Sequence, residues 1–238
     1  MIALKNLRKR YQNGHDALRG INLKIDQGEL VFLTGHSGAG KSTVLKLIAL
    51  LERPSSGSVI VDNTDLDKLS SKQIPFYRRK VGMIFQNPTL LNDRSVYENL
   101  ALPLRIIGFA EDEIRSRVHA SLELVGLLKK QGQFPLALSG GEQQRVGIAR
   151  AIVGRPDIIL ADEPTGNLDP ELSKDIMNLF IRLNQVGITF VIATHDLALI
   201  STLKYRQIRL LDGKVAEPLA HPQTHTQTQT QTTTEPTA

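Results

Sequence analysis

An α/β fold on a mostly parallel core sheet, with an N-terminal antiparallel β part and an inserted helical subdomain, is the class this sequence predicts. Two observations carry it. Short, continuously apolar runs at Leu30–Thr34, Val81–Phe85, Ile158–Asp162 and Thr189–Thr194 lack the alternation of a half-exposed strand, as strands buried on both faces do. The first run leads directly into Gly35-His36-Ser37-Gly38-Ala39-Gly40-Lys41-Ser42, which fits G-x-x-x-x-G-K-[ST] without mismatch, in the order strand, glycine loop, helix.

The loop comes first because its chemistry is the most local. Glycines let the backbone curl so that successive N–H groups point inward at phosphate oxygens, and the helix N-terminus that follows adds a favourable dipole. Lys41 would reach the β- and γ-phosphates of a nucleotide, and the Ser42 hydroxyl would hold Mg²⁺. At average residue frequencies the pattern arises by chance in roughly 1 in 100 chains of this length, which makes an ordinary glycine-rich turn the weaker reading.

Upstream and just downstream, Ile2–Leu4, Ile21–Ile25 and Val59–Val61 are predicted as the antiparallel strands. Asn87 to Leu136 reads as a mostly helical insertion. Val96–Leu104 forms one helix, and the acidic start Glu111-Asp112-Glu113 leads a second through Ile114, Val118, Leu122 and Val125 at helical spacing. Next, Leu138-Ser139-Gly140-Gly141-Glu142-Gln143 opens a helix: Ser139 and Glu142 make a capping box ahead of the apolar face Val146, Ala149 and Val153. Capping needs neither glycine. Two glycines in a first turn cost on the order of 1 kcal/mol each relative to alanine, so their presence predicts that something approaches the backbone there, as a phosphate at a helix N-terminus does.

The third apolar run ends in two carboxylates. Asp162 at the strand's C-terminal edge is suited to the Mg²⁺ shell, and Glu163, one residue on and across the pleat, to polarising the water that attacks a γ-phosphate. An isolated Asp-Glu-Pro would read as a surface turn; beside an intact phosphate loop it does not. The fourth run delivers His195 to the same sheet edge, and Ile208–Leu211, Asp212-Gly213 and Val215 read as a closing hairpin.

Taken together, Gly35 to Ser42, Gln86, Leu138 to Gln143, Asp162-Glu163, Asn167-Leu168-Asp169 and His195 resemble, in order and interval, the nucleotide-binding subunits of ABC-type ATPases, from Met1 to about Val215. The resemblance implies an ABC-type P-loop ATPase domain over residues 1–217, with a helical subdomain at about 87–153. It implies ATP and Mg²⁺ as cofactors, with Ser42, Gln86 and Asp162 at the metal and Glu163, His195 and Gln86 as catalytic residues. Tyr11 would stack on adenine. Gly35, His36, Ser37, Gly38, Ala39, Gly40, Lys41, Ser42 and Thr43 would bind the nucleotide from one chain, and Ser139, Gly140, Gly141, Gln143 and Asp169 would meet it from a second chain paired head to tail. Asp169 could equally cap the helix starting at Pro170.

The segment Thr34 to Thr43, Gly82 to Gln86, Asp93 to Tyr97 and Phe134-Pro135 is most similar to one branch of the family. The resemblance implies signalling across the bacterial inner membrane to activate peptidoglycan hydrolysis at the division site, with no substrate carried. The implied partner is an integral membrane protein docking near Gln86 and the helical subdomain, with the chain peripheral on the cytoplasmic face. A lipoprotein-releasing or efflux ATPase shares nearly every motif. A soluble ABC ATPase acting on nucleic acid or ribosomes is the alternative of another class, but it would need a long coiled coil or a second motif set, and neither is present. A scaffold that binds ATP without turnover would lack the water-positioning acid, and Glu163 is there.

Composition agrees. The 238 residues suffice for one good core, expected here as two lobes. No cysteine excludes a disulfide scaffold. Neither a leader nor an apolar run near the ~18 residues of a membrane span is visible. The net charge of +5 and pI of about 9.5 come from scattered basic residues, clustered only at Lys5 to Arg10 and Arg78-Arg79-Lys80. Aromatics do not interleave with these clusters, so no nucleic acid is expected. Residues 218–238, rich in His, Gln and Thr, are expected to be a disordered tail in which His221 and His225 are solvated.

Overall fold

A computed structural model describes residues 1–166 and 168–216. The expectations for Asn167 and for the 218–238 tail lie outside the described residues. Among the described residues, ten strands and seven α-helices follow in the order β1 (Ile2–Arg10), β2 (Asp16–Ile25), β3 (Leu30–Thr34), α1 (Lys41–Ile48), β4 (Ser56–Val61), β5 (Thr64–Asp65), α2 (Ile74–Arg78), β6 (Val81–Ile84), α3 (Val96–Ile107), α4 (Glu111–Leu124), α5 (Gly140–Ile152), β7 (Ile158–Asp162), α6 (Pro170–Gln185), β8 (Thr189–Ala193), α7 (Leu197–Ser201), β9 (Arg206–Leu211) and β10 (Lys214–Val215).

Two sheets result. The antiparallel one has the order β2-β1-β4-β5, and the second runs β10-β9-β3-β8-β7-β6, parallel throughout except for the β9–β10 hairpin. The continuous apolar runs are explained by where their alternate side chains go. Val31 and Leu33 of β3, Leu160 of β7 and Val191 of β8 enter a core shared with α1 and the antiparallel sheet. Leu30 and Phe32, Ile159 and Ala161, and Phe190 and Ile192 enter a second core shared with α3 to α6. Both faces are covered, so neither can be polar.

Register brings the site together. Leu33 and Asp162 both pair with Ala193, and Ile84 pairs with Ala161, so β3, β8, β7 and β6 end almost level. Their four C-terminal continuations, the glycine loop, His195, Glu163 and Gln86, therefore leave one edge side by side. That edge is where parallel α/β sheets present ligand sites.

The antiparallel strands are longer than their apolar segments indicate: β1 and β2 continue into the charged stretches ending at Arg10 and beginning at Asp16. Burial explains this, since Leu7, between exposed Asn6 and Arg8, and Leu18, next to exposed Arg19, still point inward. Helix α3 also outruns its prediction, passing Pro103 and stopping at Gly108, whose left-handed conformation ends it. Its buried Asn99 donates to the carbonyls of Leu91, Arg94 and Ser95 and accepts from the Leu91 N–H, tying the loop ahead of the helix to its first turn. Arg105 bridges Glu98 of α3 to Glu111 of α4, and the two carboxylates hold the guanidinium firmly protonated.

Candidate functional site

The glycine loop connects β3 to α1 as expected. Lys41, nearly buried, donates from Nζ to the carbonyls of Gly35 (2.8 Å) and His36 (3.1 Å), which parks its charge in the loop it would serve. The glycines divide by purpose. A side chain at Gly35 would collide with the Leu210 carbonyl of β9, and one at Gly40 would lie 2.7 Å from the Ala17 carbonyl of β2. At Gly38 a side chain would meet nothing within 4 Å, but the backbone there is left-handed with φ of 80°, which favours glycine. Two of the three glycines thus serve packing of the loop against β2 and β9.

His36 turns its ring out of the cradle, with Nδ1 2.7 Å from the Ser37 carbonyl and Nε2 3.2 Å from Asp212 in the β9–β10 turn. The next residue of that turn, Gly213, donates its N–H to the Ala39 carbonyl at 3.3 Å. Sequence reasoning saw this hairpin only as a closing element. Pairing of β9 with β3 is what brings its turn to the loop.

Ser42 donates to Asp162 Oδ1 at 3.0 Å. Burial pushes the Asp162 carboxyl above its ordinary range, the Ser42 hydrogen bond works against that, and the neighbouring Glu163 charge adds to it. A hydroxyl and a desolvated carboxylate are hard oxygen donors of the kind Mg²⁺ takes, and a cation there would relieve the buried charge. The residues therefore fit the metal.

Glu163 stands differently from its expected place across the pleat. β7 ends at Asp162, and Glu163 takes a left-handed backbone with φ of 48°. Its N–H donates to the Ala193 carbonyl, and its carboxylate turns between two partners. His195 Nδ1 lies 2.9 Å from Oε1, and Gln86 Nε2 donates to Oε2 at 3.2 Å. Because a carboxylate oxygen only accepts, Nδ1 carries the imidazole proton, which leaves Nε2 for another partner. A non-glycine residue held left-handed costs energy that the surroundings must enforce, as happens where a side chain has to be aimed.

Tyr11 follows β1. Its hydroxyl sits 3.3 Å from Thr43 Oγ1 and donates to Glu52 at 3.2 Å, while Lys9 Nζ lies 5.2 Å from the ring centroid. The ring is thereby fixed beside the first turn of α1.

The Leu138 to Gln143 stretch forms the predicted capping box: Ser139 Oγ accepts from the Glu142 N–H and Glu142 accepts from the Ser139 N–H. Lys130, and then the Ser139 N–H, hold the Glu142 carboxyl below its usual range. A side chain at Gly140 would enter open space, whereas one at Gly141 would press on Leu168 (3.3 Å) and Leu172 (3.7 Å). Packing on Leu168 and on Leu172 of α6 thus partly explains Gly141, and no neighbour among the described residues requires a glycine at Gly140. Gln143 commits its amide to the Pro135 and Leu138 carbonyls, so it braces its own turn. Asp169 caps α6 by accepting from the Leu172 N–H.

With this geometry in hand, the sequence profile of the ABC transporter family matches residues 18–166, glycine loop and acidic strand included. The chain belongs to the ABC transporter family. Among its relatives, the cell division ATP-binding protein FtsE of Escherichia coli K12 is 54% identical over 213 residues, spanning 90% of this chain and 96% of its own. FtsE of Bacillus subtilis is 47% identical over 90% of this chain and 93% of its own. A dimeric, post-hydrolysis structure of the ATP-binding cassette MJ0796 bound to ADP and Pi superposes with a TM-score of 0.85 at 39% identity, covering 90% and 96% of the two chains. The family fold is thus this chain's fold, and the chain is an ATP-binding, ATP-hydrolysing ABC ATPase. Among the described residues, no helix is long and apolar enough to cross a membrane.

Proposed function

We propose that this ABC ATPase closes as a head-to-tail homodimer on two ATP molecules and opens on hydrolysis, and that it drives or gates a separate membrane protein. The observation that carries the hydrolytic reading is the Glu163 carboxylate, aimed by Gln86 on one side and His195 on the other, at the sheet edge shared with Lys41, Ser42 and Asp162. The loop N–H groups and Lys41 bind the phosphates. Ser42, Asp162 and Gln86 would hold Mg²⁺, which would supply neutralisation of the charge developing on the phosphates. Glu163 orients and polarises the attacking water, and His195 contacts the γ-phosphate.

Ser139 spends one lone pair on its cap and keeps its O–H to donate. It serves, with Gly140, Gly141 and Asp169, the nucleotide of a second copy. This makes ATP part of the dimer interface, so hydrolysis is read out as opening. Likeness to the FtsE proteins supports the cell-division role, with the membrane subunit FtsX as partner, peripheral placement on the inner membrane and signalling to peptidoglycan hydrolases. Leu91, Ile106, Phe134 and Leu136 are exposed on the helical subdomain, where such a partner would dock.

Glu163→Gln tests this reading. Turnover should fall about 10²-fold or more while ATP still binds, so that an ATP-dependent dimer accumulates in light scattering; normal turnover would remove Glu163 from the mechanism. Captured from detergent-solubilised cells, the same variant should bring a membrane protein of few spans together with division or wall-remodelling proteins. Lipoproteins or efflux components would assign it to a transport system, and ribosomes or nucleic acid without a membrane protein would overturn the membrane role.

A further inference from the structure

We propose that Gln144 is a positioning residue for ATP hydrolysis, its buried side-chain amide tying α5 to the two loops that carry Gln86 and Glu163. Gln144 is 1% exposed, and its Nε2 donates to the Phe85 carbonyl at 3.1 Å and to the Pro164 carbonyl at 3.2 Å. Each carbonyl belongs to the residue beside one of the pair. Phe85 immediately precedes Gln86 and Pro164 immediately follows Glu163, so one amide spans the backbone on both sides of the Gln86–Glu163 hydrogen bond.

The amide orientation is fixed by chemistry, because both partners are carbonyl oxygens and only the NH₂ end can serve them. Its Oε1 is buried and accepts no hydrogen bond among the described residues. A methionine would fill the same space without stranding an acceptor. What glutamine adds at this position is two donations, both to site-bearing loops.

The rest of the α5 face agrees with a joint at this point. Gly147, one step of three further along, faces Pro88, and Arg150, a further step of three, donates to the Pro88 and Thr89 carbonyls. Gln144, Gly147 and Arg150 thus run along the loop that begins at Gln86. Only Gln144 also reaches the Glu163 side. Movement of α5, whose first turn carries Ser139 and Gly140, is by this route passed to the residues that aim at the attacking water.

The inference rests on the roles given above to Glu163 and Gln86, and the test separates the two. Gln144→Met, Gln86→Ala, the double variant and Glu163→Gln are compared in the full chain by ATPase rate, binding of a fluorescent ATP analogue and thermal midpoint. Gln144→Met should lose about 10-fold or more in kcat, the order expected when a reacting group is mispositioned, with nucleotide affinity held within about twofold. The double variant should be no slower than Gln86→Ala alone, since both act on one geometry.

A Gln144→Met rate within twofold of wild type, a loss confined to affinity, or losses that multiply in the double variant would each overturn the proposal. Gln144→Leu repeats the comparison if methionine impairs folding. Failure of both to fold would assign the residue to packing and overturn it as well. If Glu163→Gln turns over normally, the reading of the site falls; if Glu163→Gln is slow while Gln144→Met is not, only this inference falls.

Discussion

Asp162 illustrates how one side chain carries opposite obligations. Burial raises its carboxyl pKa above the ordinary 3.8, so without a cation the charged form is a burden in the folded state that the unfolded state does not bear. The unfolded chain releases this proton first, so the burden grows as pH rises from about the ordinary value through the raised one. Asp162→Asn keeps an oxygen for Ser42 while removing the charge. The nucleotide-free variant should therefore melt higher than wild type at pH 7, with the gain vanishing at acid pH where wild type is protonated. With Mg²⁺ and ATP the order should reverse, because the stabilisation from binding is lost. Calorimetry across pH checks both signs, and a variant that melts lower without ligand would contradict the desolvation account. At this scale the sequence was legible where chemistry is local, as in Lys41, Ser42 and the Ser139–Glu142 cap. It was opaque where partners are distant: nothing near Gln144 in the chain announces Phe85 and Pro164, and the sequence reading stopped one residue short, at Gln143. The signal that could have found it is the spacing of three among Gln144, Gly147 and Arg150 beside the apolar Val146, Ala149 and Val153.

Helix α5 is where element-level expectations meet their limit. Glycine inside a helix ordinarily costs about 1 kcal/mol against alanine, which would make Gly147→Ala stabilising. Here the new Cβ would sit 2.7 Å from Pro88 Cβ, and overpacking of that kind costs about 1–3 kcal/mol. Packing wins, so Gly147→Ala should lower the urea midpoint and displace the loop after Gln86; a midpoint raised by the substitution would show that Pro88 yields freely. Strand identities in the parallel sheet were legible because burial on both faces leaves an unmistakable apolar run. The lengths of β1 and β2 were not, since basic residues on their outer faces look like loop in a linear reading while Leu7 and Leu18 hold the inner face. Glu163 was legible as a carboxylate at the sheet edge but not in its conformation, because its left-handed backbone goes with the bond to the Ala193 carbonyl and with its two side-chain partners rather than with its own sequence.

For the whole molecule, the head-to-tail reading makes a prediction no single site can. Lys41→Ala removes a phosphate grip and Ser139→Arg blocks the surface offered to the other copy, so each variant alone should lose ATP-dependent dimerisation and turnover. Mixed, they can assemble one intact site, from Lys41 of one chain and Ser139 of the other, and some turnover should return. No recovery on mixing would argue that each chain completes its own site. The two-core layout, legible only as a class of fold in the sequence, matters at this scale because α1 and the antiparallel sheet pack one face of β3, β7 and β8 while α3 to α6 pack the other.

The β9–β10 hairpin has a consequence for biosynthesis. Its turn touches the glycine loop through Asp212 and Gly213, and β9 is the strand hydrogen-bonded to β3. Chain growth delivers the loop before its brace, so a nascent polypeptide halted on the ribosome before Leu211 emerges has His36 and Ala39 without the turn that contacts them. ATP capture by the loop is accordingly expected to wait for that turn, and nucleotide would not commit a subunit to assembly before it has formed.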